Sequence, residues 1–195
     1  MITFKTPKYH WNYFLAIEKD LEKVSRYIEF ANANLGTYSI ELTHILLSAS
    51  SEVDVIMKQL CTFTGGAKKY ENINDYRLEI QSKLPSLITE KIEIPRFGLT
   101  FIPWENWQAN QNPDWWKSYN NVKHERNNHF NEANLQNVLN AVGALLITVT
   151  YYYKLAFSQE EGRDLTFKET TRQLQPNSEF FRLDHSYYHS TRITS

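Results

Sequence analysis

The sequence predicts an all-α protein: a bundle of four to five up-and-down helices with one small β-hairpin inserted before the fourth helix. Three observations indicate this fold class. Apolar residues recur at steps of three and four over long stretches of the chain. Only six glycines and six prolines occur in 195 residues, which favours long regular elements. One short segment in the middle alternates apolar and polar residues as strands do.

The first two predicted helices cover about residues 9–31 and 38–63. The apolar stripe of the first helix consists of Phe14, Ile17, Leu21, Val24, Ile28 and Ala31. The stripe of the second consists of Leu42, Ile45, Ala49, Val53, Ile56, Leu60 and Phe63. Because the connection between them is short and contains Gly36, we expect the two helices to form an antiparallel hairpin.

The middle of the chain is less regular. A third helix is predicted over about residues 74–88, with Asn74 or Asp75 as its cap. The segment "KIEIPRFGLTFIPW" is interrupted by a proline and a glycine, so we expect a hairpin of two short strands, at about residues 91–94 and 99–102. Two strands are barely stable alone, so this ribbon should pack against helices.

The fourth helix should begin at "NPDWW", because Asn112 can cap it and Pro113 suits the first helical position. It should continue to about Glu125, where "RNNHFN" loosens the helical pattern. The fifth and longest helix is predicted over about residues 131–157, with a wide apolar face. Its small residues should let a neighbouring helix approach closely; they are Ala141, Gly143 and Ala144.

The predicted domain organisation is one bundle domain over residues 1–157, with the hairpin at about 91–102. Residues 158–195 lose the helical pattern but keep aromatic residues near their end. We expect this C-terminal arm to pack on the domain or on a partner chain.

Composition excludes several classes of protein. The chain is 42% hydrophobic and 22% charged, which indicates a folded protein and not a disordered one. Its net charge of -1 gives no field that attracts nucleic acid or anionic lipid. The single cysteine, Cys61, cannot form a disulfide within the chain and is expected as a buried structural thiol. Without a signal-peptide-like segment at the N-terminus, and with polar residues interrupting the apolar window at 138–157, we expect a cytoplasmic protein with no membrane span.

The segment that carries chemistry is "WWKSYNNVKHERNNHF", residues 115–130. On a helix, one side collects Tyr119, Asn120, Lys123, His124 and Asn127. A neutral histidine can act as general base or acid, and amide and phenol groups can orient it. Lysine can hold a phosphate as a point charge. If the helix continues, Arg126 lies on roughly the opposite face from His124.

The string "SYNNVKHER", followed by an apolar helix rich in small residues, resembles the HEPN superfamily of helical-bundle proteins. Many HEPN members carry an Arg-Asn-x-x-x-His core, or more loosely Arg-x(4–6)-His, ahead of a final long helix. The Asn120-x-x-x-His124 spacing matches that core, and "SSEVDVIMKQL" resembles the acidic-flanked second helix of such bundles. The resemblance covers about residues 9–157.

Catalytic HEPN members are metal-independent ribonucleases whose arginine and histidine, paired across a dimer, help the ribose 2′-hydroxyl attack the adjacent phosphate. The resemblance therefore implies His124 as base or acid, with Asn120 and Tyr119 positioning it. Phosphate or RNA contacts would fall to Lys123, Arg126, Lys117 and Asn127. This chain departs from the motif, because Tyr119 occupies the arginine position and the allowed spacing from Arg126 reaches no histidine.

Three functional hypotheses remain open at this point. The first is a non-catalytic HEPN-like protein, expected as a homodimer, that binds RNA or an antitoxin-like protein partner in RNA-related, defence or toxin–antitoxin settings. The second is a HEPN endoribonuclease using His124, against the alternative that His124 only ties two helices together. The third is a small-molecule sensor with an aromatic cleft formed by Trp104, Trp107 and Trp115.

No metal site or cofactor is predicted. His185 and His189 stand four residues apart beside Asp184, a spacing that can bind zinc on a helix. The surrounding sequence is not clearly helical and offers no second pair of ligands, so we do not assign a metal there. The glycines of "TFTGGAKKY" lack the spacing of a phosphate-binding loop and are interpreted as a helix stop.

Overall fold

The computed structural model describes residues 7–65 and 69–188. Within them the chain forms six α-helices and one antiparallel hairpin. The helices are α1 (Tyr9–Val24), α2 (Ile40–Gly65), α3 (Ile73–Lys83), α4 (Asp114–His129), α5 (Leu135–Glu161) and α6 (Phe167–Gln173). The strands are β1 (Ile92–Ile94) and β2 (Leu99–Phe101). The predicted fold class, an all-α bundle with a small inserted hairpin, is confirmed.

The core of the bundle is the pair α2 and α5, which make the most extensive helix contact. α1 and α4 each pack against both of these helices, α3 packs on α2, and α6 packs on α5. α5 is buried on nearly all sides through its middle, from Ala141 to Tyr151. It is also the described helix that is long and apolar enough to cross a membrane, and 78% of its most apolar window is buried inside the protein. A central core helix gives the same pattern.

α1 ends at Val24, seven residues before the predicted end at Ala31. The chain turns after Ser25 and sends Phe30 into the interior, where it is 1% exposed. There Phe30 packs against Phe97 of the hairpin turn and Phe180 of the C-terminal arm, with ring centroids 5.0 and 5.8 Å away. The prediction of a short connection between the first two helices is therefore wrong. The connection comprises residues 25–39 and contributes Phe30 to the core.

α3 is capped by Asn72 and not by Asn74 or Asp75. The Asn72 side chain accepts hydrogen bonds from the backbone N–H groups of Asn74 and Asp75, at 2.9 and 3.3 Å. The helix ends at Lys83, and Pro85 begins a separate 3-10 turn. Proline cannot continue a helix without losing a backbone hydrogen bond, which explains the early end.

The predicted hairpin is confirmed, with Ile92 opposite Phe101 and Ile94 opposite Leu99. Gly98 has a φ of +63°, a backbone conformation that suits glycine and closes the turn. The hairpin packs on α5 at Gly143, where an added Cβ would lie 2.8 Å from a ring carbon of Phe101. Gly143 thus admits the strand pair, and the close approach of a neighbouring helix at Ala141 and Ala144 stays a prediction.

α4 begins at Asp114, with Pro113 just outside it and no side chain capping it. The predicted cap, Asn112, instead accepts a hydrogen bond from Arg77 of α3 at 3.2 Å. Glu125 has non-helical angles, φ -134° and ψ 48°, and kinks the helix where the sequence loosens. α5 starts four residues later than predicted and runs one turn further, to Glu161.

Residues 163–188 pack along the bundle. α6 is held by a capping box between Thr166 and Glu169. The segment after it buries Phe181 completely and adds one backbone pairing, Glu93 with Arg182, to the free edge of β1. This C-terminal arm is anchored by Glu18 of α1, whose carboxylate accepts hydrogen bonds from the N–H groups of Phe180 and Phe181, at 3.2 and 3.1 Å.

Candidate functional site

The first residue of the predicted α4 site is Tyr119, which stands where the HEPN motif that this segment resembles has its arginine. Its side chain is turned into the core and is 6% exposed. Its hydroxyl accepts a hydrogen bond from the Lys123 ammonium at 3.3 Å, and the same ammonium lies 5.3 Å from the ring centroid. Tyr119 and Lys123 are therefore brought together as predicted, but as a contact between neighbouring turns of one helix.

Asn120 donates its amide N–H to the carbonyl oxygen of Trp116, one turn earlier in α4, at 3.0 Å. This bond points the amide back along its own helix and not towards a histidine. His124 is exposed, as is Asn127. The His124 ring makes no hydrogen bond or ion pair to any residue in the described part of the chain. No described group therefore holds it in one tautomer or orientation, as a catalytic base requires.

The two remaining predicted contact residues also stand at the surface. Lys117 pairs with Asp114 at 2.9 Å, on the first turn of α4. Arg126 follows the kink at Glu125 and is exposed. Because the kink changes the direction of the chain between His124 and Arg126, the opposite faces expected from a continuous helix do not apply to this pair.

Another histidine of α4, which the sequence analysis did not select, is oriented by hydrogen bonds that His124 lacks. This residue is His129, at the end of α4. Its Nδ1 is hydrogen-bonded to Oε1 of Glu132 at 2.6 Å. Asn121 donates its amide N–H to both oxygens of the same carboxylate, at 3.3 and 3.0 Å. The Nε2 of His129 lies 3.9 Å from a carboxylate oxygen of Glu125, at the kink. The side chains of His129 and Glu132 are about one-third exposed, at 32% and 29%.

The charge on Glu132 is stabilised by this network. Burial acts to raise its pKa, but hydrogen bonds from Asn121, His129 and Ser118 outweigh it, so that the pKa is lowered from its ordinary value of 4.5. Glu132 therefore stays ionised and fixes the orientation of the His129 ring, which leaves Nε2 as the nitrogen available to a proton donor or acceptor. An imidazole oriented by a carboxylate can act as a general base or acid.

The network is tied to the start of α5 and to the segment before α2. The Asn137 amide donates to Ser118 at 3.0 Å and to the Glu132 carbonyl at 2.9 Å. Tyr38 packs edge-on against Phe130, with ring centroids 5.5 Å apart, and pairs with Asn134 through a backbone bridge. The α4–α5 junction is thus held by side-chain and backbone contacts, and the partly exposed His129–Glu132 pair lies in it.

The three tryptophans of the proposed aromatic cleft lie in the core. Trp104, Trp107 and Trp115 are 0%, 0% and 2% exposed. Their rings pack on one another, with centroids 4.3 Å apart for Trp104 and Trp107 and 5.1 Å for Trp104 and Trp115. A ligand could reach an indole face only if this cluster opened.

No group of three or more metal-ligating side chains with suitable placement occurs among residues 7–65 and 69–188. His185 is exposed in a short 3-10 turn, and its proposed companion His189 lies outside the described residues. Cys61 is fully buried in α2, in keeping with the structural thiol that we predicted.

A local signal for the missed residues is present in the sequence. His129 and Glu132 are three residues apart, a spacing that allows contact on a helix or a 3-10 turn. They were not selected because "RNNHFN" was interpreted as the end of the fourth helix. Outside a regular helix, the spacing of two residues does not predict the directions of their side chains. Asn121 lies eleven positions before Glu132 and could be assigned only from the fold.

Comparison with protein-family models, with curated proteins and with solved structures found no match to this chain.

Proposed function

We propose that this protein is a HEPN-like helical-bundle protein that acts by binding a partner protein and does not cleave RNA by the arginine–histidine chemistry of its family. The proposal rests on the burial of Tyr119, which stands at the arginine position of the motif. Its side chain is 6% exposed and is hydrogen-bonded to Lys123. A buried phenol supplies no fixed positive charge for a transition-state phosphate. The exposed, unsupported His124 ring agrees with the loss of this chemistry.

The binding surface that we propose is the junction surface, formed by Tyr38, Ile40, Lys123, His124 and Arg126. Tyr38 and Ile40 are 50% and 63% exposed, so both large side chains can contact a partner. Arginine and aromatic side chains are enriched at protein interfaces, and the junction surface contains Arg126 and Tyr38. RNA is a weaker candidate, because the net charge is -1 and tight phosphate-backbone binding needs many cations.

The partner that we propose is a second copy of this chain, in a two-fold symmetric homodimer, or an antitoxin-like protein on the same surface. A two-fold interface uses one patch on both subunits, and the junction surface offers apolar and charged groups together. The defence or toxin–antitoxin setting is proposed from the HEPN resemblance.

Light scattering after size-exclusion chromatography tests self-association through this surface. We expect the wild type to run as a dimer and Ile40→Asp to run as a monomer, because a carboxylate at the apolar centre opposes burial. Leu78→Asp is the matched control, since Leu78 of α3 is also exposed, at 59%, but lies away from the junction. Dissociation of both variants, or of neither, would contradict the proposed surface.

An RNA-cleavage assay without metal tests the lost chemistry. We expect the wild type and His124→Ala to leave a single-stranded RNA equally intact. Cleavage by the wild type that disappears in His124→Ala would overturn the proposal and support the ribonuclease hypothesis as first stated.

A second candidate, a metal-independent endoribonuclease, is favoured by one specific observation, the oriented His129–Glu132 pair. In this version Nε2 of His129 would take the proton of the ribose 2′-hydroxyl, whose oxygen would attack the adjacent phosphate. The bond from phosphorus to the 5′-oxygen would break, leaving a 2′,3′-cyclic phosphate and a 5′-hydroxyl that takes its proton from water, and Arg126 would contact the phosphate. The same assay separates the candidates: cleavage that survives His124→Ala but is lost in His129→Ala would assign this mechanism. Asn128→Ala, an exposed neighbour, is the matched control.

A further inference from the structure

We infer that the C-terminal arm and β1 together form a binding pocket for a phosphoryl dianion, carried by a small phosphate ester or free in solution. The pocket is a half-open cavity of about 470 Å³, away from the α4–α5 junction. This volume lies in the range of small-molecule sites and suits a ligand of about mononucleotide size.

The charge of the pocket favours an anion. Arg172 and Arg182 both line it, His185 adds a third basic side chain, and Glu93 is the one carboxylate of the lining. Within the described residues, neither Arg172 nor Arg182 has an acidic side chain within ion-pair distance. By contrast, Arg163 nearby on the arm pairs with Glu161 and Glu169, both at 2.9 Å.

The walls of the pocket are held by hydrogen bonds in which the side chains of Arg172 and Arg182 take no part. Arg182 exchanges two backbone hydrogen bonds with Glu93, each of 2.9 Å. The Thr171 hydroxyl donates to the Tyr187 carbonyl at 2.7 Å, and the Ser178 hydroxyl donates to the Glu18 carboxylate. A pocket that is already formed needs little ordering on binding.

The remaining donors match a phosphoryl group better than a single carboxylate. Guanidinium groups offer forked N–H donors that pair with phosphate oxygens, and two such groups can share the three terminal oxygens. The Asn177 side-chain oxygen is engaged by Gln175 at 2.9 Å. Its amide nitrogen, which makes no hydrogen bond to a described residue, adds a neutral donor to the lining.

Isothermal titration calorimetry of the full chain tests the inference with adenosine 5′-monophosphate, inorganic phosphate and adenosine. We expect at least one of the two phosphates to bind, and adenosine to bind more than about tenfold more weakly or not at all, because it lacks the group that both guanidinium forks would hold and one charge-assisted hydrogen bond alone is worth about tenfold. Tighter binding of the monophosphate assigns an ester ligand, and equal binding of inorganic phosphate assigns the free anion.

Arg172→Gln and Arg182→Gln should each weaken phosphate binding about tenfold or more, because each removes one guanidinium fork. Arg96→Gln is the matched control, since Arg96 is exposed on the hairpin turn and does not line the pocket. Unchanged urea unfolding of the variants checks that the arm stays folded. Unchanged affinity in both pocket variants, adenosine binding as tight as that of the monophosphate, or no binding of either phosphate would overturn the inference.

Discussion

Two glutamates, Glu18 in the anchor of the arm and Glu132 at the α4–α5 junction, receive similar numbers of hydrogen bonds but show opposite pKa shifts. Glu18 is 5% exposed and is held mainly by backbone N–H groups. Burial raises its pKa above 4.5, although hydrogen bonds from Ser178, Phe181, Phe180 and Glu179 act in the other direction. The Glu132 side chain is 29% exposed, and its hydrogen bonds outweigh burial.

The difference shows that access to water decides which effect wins. A carboxylate removed from water loses more hydration than a few neutral donors replace, whereas a partly exposed one keeps its hydration and gains the donors. Glu18 therefore serves as a structural tie between α1 and the arm. Glu132 keeps its charge and its hydrogen bond to His129 at a surface that other molecules can reach.

The largest expected effect is at Glu18. Glu18→Ala should lower the free energy of unfolding by about 3 kcal/mol, because it leaves several buried N–H groups of the arm without acceptors. Urea denaturation measures it. Glu22→Ala, on an exposed position of the same helix, should change the free energy by less than about 0.5 kcal/mol. Similar losses of unfolding free energy in both variants would show that Glu18 contributes no more to stability than an exposed glutamate of the same helix.

Glu132→Ala should cost less, about 1 kcal/mol, because the amide of Asn121 and the ring of His129 can turn to water when their acceptor is removed. The control is Glu125→Ala, whose carboxylate is 66% exposed and 3.9 Å from His129, and for which we expect less than about 0.5 kcal/mol. A loss at Glu132 as large as that at Glu18 would mean that the donors around Glu132 cannot turn to water, which contradicts the expected difference between the two regions.

The pH dependence at Glu18 has a defined sign. Since its pKa is raised by folding, the folded chain binds the proton more readily than the unfolded chain. Relative to Glu18→Gln, the wild type should gain stability as the pH falls. This gain is complete below 4.5 and is lost as the pH rises through the raised pKa. Urea unfolding of both proteins at several pH values measures it, and a difference that does not change with pH would contradict the burial of this carboxylate.

Glu132 should show the opposite dependence. Its pKa is lowered by folding, so its ionised form contributes stability above pH 4.5 that is lost as the pH falls through the lowered pKa. The comparison is between wild type and Glu132→Gln over the same pH series. A difference that grows on acidification at both glutamates would show that they occupy equivalent environments.

Local pattern was enough to predict α1 to α5, the hairpin and its turn, but not the short helix α6, because residues 158–195 show no clear helical pattern. The recurrence of apolar residues in α2 and α5 fixes which face each helix buries, because side-chain direction repeats every 3.6 residues. Boundaries were predicted less well where a tertiary contact outweighed local preference. Phe30 ends the first helix early because it packs against Phe97 and Phe180, residues distant in sequence.

The composition of the polar segment on α4 was visible in the sequence, but its geometry was not. A helical projection placed Asn120 and His124 on one side, and it could not show that the Asn120 amide bonds to its own helix or that Tyr119 turns inward. Because α4 is kinked at Glu125, a regular helical projection does not predict the side-chain directions of the residues after it. His129, Glu132 and Asn121 meet only because the chain bends there.

By itself the sequence determined an all-α bundle, a central apolar helix and a short polar stretch ahead of that helix, since these follow from periodicity and composition. Only the tertiary structure decided which polar side chains are supported, which are buried and which stand free. The reason is that hydrogen-bond partners and burial depend on residues brought together from distant parts of the chain. Glu18 and the arm, separated by about 160 positions, are the clearest case.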